Sequence, residues 1–394
     1  MLDHGVVVHC PCSVEVDLSV NPAHIARGVV VHAGCRIRGS STSVGPGCVI
    51  GAEGPATLED CQPASGVELK GGYFSGAVFL DKSSLGSCAH VRPGMLLEEE
   101  ASGGHAVGLK QTILLPFVTT GSLINFCDCL MSGGTSRENH SEIGSSFVHF
   151  NFTLHGDKAT ASLIGDVPRG VMLDRPPIFL GGQGGLVGPV RIEYGCVLAA
   201  GTVYRRDALQ PNHLLGAGES WESRPYRMNV HRNTDRIIRN NLIYIGNLRA
   251  LESWYRLVRT RTMDHDPFAA ACREGALKAV ATDLEERIKR LGELARKLVA
   301  SVEALKASGV SPEETSRQQA FIDRWPSVER HLRTSPADGV GAACRDAFLA
   351  EWDRVPPGAR HVQAVRQLSP KGKQTGTEWL QSIVDSVSSV WGGP

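Results

Sequence analysis

Residues 149–158 combine two histidines, an asparagine, an aspartate and a lysine with aromatic side chains. Repeat-like sequence flanks this stretch on both sides, so it interrupts an otherwise regular structure. Histidine and lysine side chains can transfer protons or hold anions, and an asparagine amide can hydrogen-bond to a polar ligand. Such a dense polar interruption of a repeat is more typical of a binding or catalytic site than of a structural wall.

The bulk composition narrows the possible partners. The 394 residues carry 41 lysines and arginines and 41 aspartates and glutamates, so no excess of positive charge points to nucleic acid or an anionic membrane. Residues 1–10 lack the basic start and apolar run of a signal peptide, and no stretch approaches the roughly 18–20 apolar residues that span a bilayer. The 11 cysteines include no CxxC pair, which is typical of a reducing cytosol. We therefore predict a cytoplasmic protein with no nucleic-acid and no membrane partner.

Aliphatic residues recur every six positions in several parts of the chain. A period of six fits neither a helix, with 3.6 residues per turn, nor a long alternating strand. It fits short strands joined by turns, three to a triangular coil, with one aliphatic side chain per hexad pointing inward. A β-sandwich with regular turns is the alternative. The repeating positions are Ile25, Val31 and Ile37, after a one-residue slip Val44 and Ile50, then Leu85, Val91 and Leu97, and finally Leu186, Ile192, Leu198 and Tyr204.

The six-residue period ends near residue 207, where the character of the chain changes. From Asp235 onward apolar residues lie three or four apart, and Thr234 or Asp235 is placed to cap a helix. Leucines recur every seven residues within 274–307, which indicates a helix–helix seam with either a partner or the chain's own helices. We predict a β-helix domain at 1–207, an extended linker at 208–234 and an α-helical region at 235–394 with a flexible stretch near 355–376.

Several sequence pieces between residues 90 and 207 together resemble a known family. The pieces are His90-Val-Arg92-Pro-Gly94, residues 151–158 with Thr160, Ile164-Gly-Asp166, Phe179-Leu-Gly-Gly, Leu186-Val-Gly-Pro-Val190 and Leu198-Ala-Ala-Gly-Thr-Val-Tyr-Arg-Arg-Asp207. Their hexapeptide pattern resembles the left-handed parallel β-helix of acyltransferases. The ordered set resembles the acetyltransferase half of bacterial glucosamine-1-phosphate N-acetyltransferase/UDP-N-acetylglucosamine pyrophosphorylase. The resemblance implies a mainly β, left-handed parallel β-helix, a homotrimer with sites between neighbouring helices, and acetyl-CoA as a possible donor.

The resemblance also implies roles for four residues. Arg92 would hold a sugar phosphate, and Lys110 would be a second contact to the phosphate or the sugar. Asn151 would bind the sugar, and Lys158 would lie at the phosphate end. These types suit the ligand, because arginine offers a bidentate fork and lysine a point charge. The alternatives are a solvated coil corner for Arg92 and a surface ion pair with Asp157 for Lys158.

Two departures from the family pattern leave catalysis open. The chain lacks the glycine-rich nucleotide loop of the pyrophosphorylase domain, so uridylyl transfer is not expected. The family's catalytic histidine falls at Ser122, and its tyrosine partner falls at Asn125. Acetyl transfer to an amine needs a base that accepts the ammonium proton, which serine alone cannot do. His140 or His149 is our candidate replacement for this base.

Two further interpretations concern the histidines. His140, His149 and His155 could assemble a metal site, as three histidines do in β-helix carbonic anhydrases of the γ type. Alternatively, His149 and His155 are hydrogen-bonded wall residues. The leading functional hypothesis is a transferase-like β-helix enzyme that binds a sugar phosphate or a nucleotide sugar such as UDP-N-acetylglucosamine. A non-catalytic nucleotide-sugar sensor or scaffold and a metal-dependent β-helix enzyme are the alternatives.

Overall fold

Short parallel strands stack into a solenoid of about 11 turns over roughly the first 215 residues, and helices follow. The computed structural model describes residues 2–153, 155–216, 227–232, 234–307, 312–334, 336, 339–356 and 358–392. Within the predicted linker, residues 217–226 and 233 lie outside the described residues. The predicted fold class, a parallel β-helix followed by an α-helical region, is confirmed.

Three stacks of parallel strands form the three faces of the solenoid. Along the chain, successive strands of a coil belong to the first, the second and the third stack. In the described chain the first stack comprises Val7–Val8, Val30–Val31, Val49–Ile50, Glu68–Leu69, Ser84–Leu85, Ser102–Gly103, Thr119–Thr120, Glu142–Ile143, Phe179–Leu180, Val197–Leu198 and Leu214–Leu215. The second comprises Glu15–Val16, Arg36–Arg38, Ala56–Glu59, Gly72–Ser75, Ala89–Val91, Val107–Leu114, Ile124–Met131, Val148–Phe150, Gly185–Val187 and Val203–Tyr204. The third comprises Gln62–Pro63, Ala77–Phe79, Met95–Leu97, Ser162–Ile164, Arg191–Ile192 and the second halves of the two longest strands.

The hexad residues fill the inside of the solenoid, as predicted. Val31, Ile37 and Ile50 are fully buried, and the later hexad positions are buried or packed against the same core. Gly28 and Gly34, which share one slot of consecutive hexads, adopt φ angles of +80° and +75°. Glycine reaches this left-handed region without strain, which allows the chain to turn tightly between strands.

Eight α-helices lie in the described residues, and all but the first belong to the C-terminal region. They are α1 Val167–Gly170, α2 Thr234–Trp254, α3 Thr260–Met263, α4 Pro267–Lys306, α5 Pro312–Arg333, α6 Ala342–Trp352, α7 His361–Gln367 and α8 Pro370–Ser388, and a π-helical turn, Tyr255–Arg259, joins α2 to α3. Helix α4 begins sharply, because the Asp266 side chain accepts a hydrogen bond from the Phe268 N–H and Pro267 occupies the first turn. None of the described helices has both the length and the apolar character needed to cross a membrane.

The helical region packs on the third stack and closes a second hydrophobic core. Outward-facing residues of this stack, among them Val78, Leu96 and Ile113, lie in one buried cluster with residues of α2 and α4. The heptad leucines of α4, such as Leu291 and Leu298, are buried in that same cluster. The helix–helix seam predicted from them is therefore made by the chain's own helices.

The stretch near 355–376, predicted to be flexible, holds helix α7 and the start of α8 in the described residues. The Ser369 hydroxyl caps α8 by accepting a hydrogen bond from the Gly372 N–H, and Pro370 occupies its first turn. Val362 and Val365 of α7 are buried in the second core. The prolines and glycines that suggested a linker instead end one helix and start the next.

Candidate functional site

The predicted site residues lie at different corners of the triangular solenoid. The first corner follows the first stack and contains Ser122, between Thr119–Thr120 and the strand that begins at Ile124. The second corner follows the second stack and contains Arg92. The third corner is enlarged by a hairpin of Gly134–Ser136 and Asn139–His140, so it contains His140. A ligand at one corner of a single chain therefore cannot touch all three positions.

Two cationic residues stack at the second corner. Lys110 lies opposite Cys127 on the next coil, and the Arg92 N–H donates a hydrogen bond to the Leu109 carbonyl at 3.0 Å. Adjacent coils are about 4.8 Å apart, so Arg92, Lys110 and Cys127 form a column. The Arg92 side chain is exposed, and its Nη2 lies 3.9 Å from the Cys127 sulfur. Burial raises the pKa of the Cys127 thiol, which keeps this neighbour of both cations neutral.

Asn151 joins this column through Asp128. The Asn151 amide donates a hydrogen bond to Asp128 Oδ2 at 2.6 Å, and Asp128 directly follows Cys127. The second carboxylate oxygen of Asp128 accepts a hydrogen bond from Arg287 Nη2 at 2.8 Å. The same Arg287 nitrogen donates to Gln111 Oε1 at 3.2 Å. Three predicted binding residues, Arg92, Lys110 and Asn151, thus share one corner, while their roles stay predictions.

Lys158 lies in the loop that leaves the eighth coil at Asn151, and this loop packs against the helical region. Among the described contacts, none links Lys158 to Arg92 or Lys110. Its neighbour Asp157 is buried, accepts a hydrogen bond from the Thr153 hydroxyl at 2.6 Å, and lies 3.8 Å from His231 Nδ1. The loop is also held by α4 and α2, because the Lys297 ammonium and the Asn241 amide donate to backbone carbonyls of the loop. Leu154 lies outside the described residues.

The His149 side chain is buried in the solenoid, and both of its ring nitrogens have hydrogen-bond partners. Its Nδ1 is 2.7 Å from the Cys127 carbonyl, and its Nε2 is 2.7 Å from the Ser162 hydroxyl. Burial lowers the pKa of His149 to about 4. A base must reach the proton that it accepts, so these contacts do not fit the predicted catalytic role of His149 and favour the wall interpretation.

His140 and His155 lie far from the wall position of His149. His140 Nδ1 is 2.7 Å from the Arg137 carbonyl, and its Nε2 is 3.9 Å from Glu142. The His155 ring instead contacts the His231 ring at a tilt of 45°, with ring centroids 4.6 Å apart. In the part of the chain that the structure describes, no three histidine, cysteine or acidic side chains are arranged to hold a metal ion. The metal interpretation therefore gains no support from this geometry.

Sequence reasoning missed the contribution of helix α4 to the second corner. Arg287 binds Asp128, and Asp283 lies one turn earlier on the same helix with its carboxylate against Gly94. Both residues are buried although they are charged. A charged pair four residues apart on the buried face of a leucine-rich helix is the only sequence signal that would have pointed to them.

No protein-family model matches the chain. Over 223 residues it is 28% identical to the bifunctional protein GlmU of Thermotoga sp. (strain RQ2), a match that covers 56% of this chain and 44% of that protein. GlmU of Trichlorobacter lovleyi is 28% identical over 204 residues, covering 52% and 39%, and GlmU of Acinetobacter baumannii (strain AYE) is 26% identical over 214 residues, covering 53% and 41%. The chain thus spans less than half the length of these curated relatives. The predicted resemblance is confirmed, since over about half its length this parallel β-solenoid chain is similar to GlmU proteins.

Proposed function

We propose that the chain is a transferase-related β-helix protein that binds a sugar phosphate or nucleotide sugar at the second corner. The juxtaposition of Arg92, Lys110 and Asn151 carries the proposal. Arg92 keeps an exposed guanidinium beside a half-buried lysine on the next coil. Such a fork and point charge suit a phosphate, and the neighbouring amide suits a sugar hydroxyl.

The arginines of the helical interface differ from Arg92 in a way that supports this proposal. Arg259 and Arg287 are buried and bound to carboxylates of the solenoid. The Arg92 side chain, by contrast, has only the weak sulfur contact of Cys127 among the described hydrogen bonds and ion pairs. Arginines with a structural role are usually paired, so an exposed one stacked on a lysine is better explained by an anionic ligand.

Replacing Arg92 with alanine should remove most of the ligand-dependent rise in melting temperature. Loss of a charge-assisted contact worth about 1.5–3 kcal/mol corresponds to a roughly 10- to 150-fold weaker Kd. Thermal shift with UDP-N-acetylglucosamine and with glucosamine 1-phosphate measures this effect. Arg36→Ala is the matched control, because Arg36 is an exposed arginine of the same stack on an early coil. A wild-type protein that neither ligand stabilises would contradict the proposal.

A homotrimer is part of the proposal, because only a neighbouring chain can bring another corner to Arg92. Two exposed apolar side chains support it: Leu123 lies beside Ser122, and Phe152 lies beside Asn151. Exposed apolar residues next to a polar site are typical of a protein interface. In such an assembly acetyl-CoA is the donor to test, while His140, at the third corner, stays a predicted base.

Replacing both Leu123 and Phe152 with serine should convert the trimer to single chains. Light scattering coupled to size-exclusion chromatography should report three times the mass of one chain for the wild type and a single mass for the variant. Both side chains are exposed, so the folded chain itself should keep its circular dichroism spectrum. Leu18→Ser, at a fully exposed position of the first coil, is the control. A monomeric wild type would refute this part of the proposal.

A non-catalytic sugar-nucleotide sensor is the second candidate. The burial of His149 and the serine at position 122 favour it, because neither side chain is an accessible base. Binding of UDP-N-acetylglucosamine without any release of free CoA from acetyl-CoA would select the sensor. All eleven cysteines are free, which supports the cytoplasmic location that we also propose.

A further inference from the structure

Helix α4 runs along the second corner, and the spacing of its turns is close to the spacing of the coils. A helix rises about 5.4 Å per turn and coils stack about 4.8 Å apart, so one turn meets roughly one coil. Near the start of the helix, the Cys272 thiol donates to the Gln62 carbonyl at 3.4 Å. Four turns later, Arg287 binds Asp128, four coils further along the solenoid. The two elements therefore face each other over a long distance.

Between the first half of α4 and the second corner lies a cleft of about 460 Å³. Small and hydroxyl-bearing residues dominate its walls, and it contains no aromatic ring apart from the imidazole of His24. From the solenoid it is lined by Ser41, Ser43, Asp60, Ser75 and Gly94, and from α4 by Lys278 and Thr282 among others. Its last coil is the one that carries Arg92, so the cleft ends next to the proposed phosphate position.

Two buried charged groups without complete hydrogen bonding lie behind Gly94, which lines this end of the cleft. Asp283 is 1% exposed, and neither of its carboxylate oxygens has a hydrogen-bond partner among the described residues. Arg287, one turn away, is 2% exposed, and its Nη1 likewise has no partner there. A Cβ atom at Gly94 would overlap the Asp283 carboxylate. Because Gly94 lines the cleft, only a residue without a side chain separates the carboxylate from it.

The chemistry of this pair selects one class of ligand group. Buried polar atoms are nearly always hydrogen-bonded, so an orphan acceptor beside an orphan donor indicates a missing partner. An ammonium group would suit Asp283 but would be repelled by Arg287. A sugar hydroxyl can donate to the carboxylate and accept from the guanidinium, and neighbouring hydroxyls can bond to the serines of the cleft.

We propose that Asp283 and Arg287 of helix α4 bind hydroxyl groups of the ligand's sugar where the sugar reaches Gly94 at the end of the cleft. The inference rests on the proposed function, in which Arg92 and Lys110 hold the phosphate. The helical region then supplies one wall of the binding site. It selects sugar phosphates over other phosphates, since a ligand without hydroxyls leaves the buried pair unsatisfied.

Calorimetric titration of the full chain with N-acetylglucosamine 1-phosphate and with inorganic phosphate tests the proposal. Asp283→Asn keeps the shape of the side chain but removes the charged acceptor. We expect it to weaken binding of the sugar phosphate at least tenfold and to leave the Kd for inorganic phosphate unchanged. Arg92→Ala should weaken both ligands together, which separates the phosphate position from the sugar position.

A second variant tests the cleft without changing a buried charge. Thr282 is exposed and lines the cleft, so Thr282→Trp should fill it and also weaken only the sugar phosphate. Ala281→Trp, at an exposed position of the same helix that does not line the cleft, is the control. If Asp283→Asn and Thr282→Trp bind the sugar phosphate like the wild type, the inference is overturned and the proposed function stands. If the wild type binds neither ligand, both fall.

Discussion

Replacing Arg259 with leucine is expected to lower the free energy of unfolding by about 3–5 kcal/mol, the usual cost of removing one partner from a buried ion pair. Arg259 is 0% exposed and lies in the π-helical turn between α2 and α3. Its guanidinium binds Glu99 at 2.5 and 2.9 Å and Glu98 at 3.1 Å. Leucine would leave two buried carboxylates of the solenoid without their cation.

Urea unfolding followed by circular dichroism at 222 nm measures this cost. The matched control is Arg256→Leu, three residues away, because Arg256 is largely exposed and pairs with Glu252 on the same helix. Exposed pairs of this kind contribute about 0.3–0.5 kcal/mol. Variants of Arg259 and Arg256 that differ by less than 1 kcal/mol would show that the buried pair adds no net stability.

The loss in the Arg259→Leu protein should also depend on pH. Burial already raises the pKa of the Glu98 carboxyl in the presence of Arg259. Without the guanidinium, the folded-state pKa of Glu98 lies further above the unfolded value of about 4.3. The folded variant then binds more protons than the unfolded chain, so its stability falls as pH rises. We expect a smaller deficit at pH 5 than at pH 8.

The coils could be predicted from sequence because their signal is local. One buried aliphatic residue per six positions fixes the inward face of each short strand, and residues such as Val31, Val91 and Leu198 are all buried. The packing of the helical region on the solenoid has a weaker signal in the sequence. On the third stack, pairs such as Leu96-Leu97 and Leu130-Met131 place one residue inside the solenoid and the next against the helices. Two adjacent apolar residues mark a face that is buried on both sides.

The column of Arg92, Lys110 and Cys127 and its contact with the helical region were predictable only in part. Arg92 and Lys110 are 18 residues apart, about the length of one coil of three hexads, and residues one coil apart lie next to each other. Arg287 and Asp128 are separated by 159 positions. No local period relates such distant residues, because their contact depends on how a helix docks on a completed solenoid. For His149 the sequence left a catalytic base and a hydrogen-bonded wall residue open, and the contacts of both ring nitrogens favour the second.

Replacing Asp283 with asparagine should stabilise the ligand-free protein at neutral pH by about 1–3 kcal/mol, the cost of an unsatisfied buried group. Burial raises the pKa of the Asp283 carboxyl well above its ordinary value, and Arg287 opposes this shift only in part. The remaining groups that act on it are Glu286 of the same helix, Asp128 and Lys110 of the solenoid, and Tyr244 of α2. Sugar binding and stability are therefore expected to change in opposite directions in this variant.

The pH dependence of that gain identifies its cause. The unfolded carboxyl titrates near about 3.9, whereas the folded one keeps its proton to higher pH. The free energy of unfolding of the wild type therefore falls as pH rises from the unfolded pKa of Asp283 to its folded pKa. Asparagine cannot ionise, so the variant does not lose this stability. Urea unfolding should show equal stabilities below about pH 4 and a widening advantage of Asp283→Asn above it. Asp323→Asn, at an exposed position of α5, should show no such divergence. A variant that is less stable than the wild type at pH 7 would mean that Asp283 serves the fold, and a purely structural role would then replace ligand binding as the explanation of its burial.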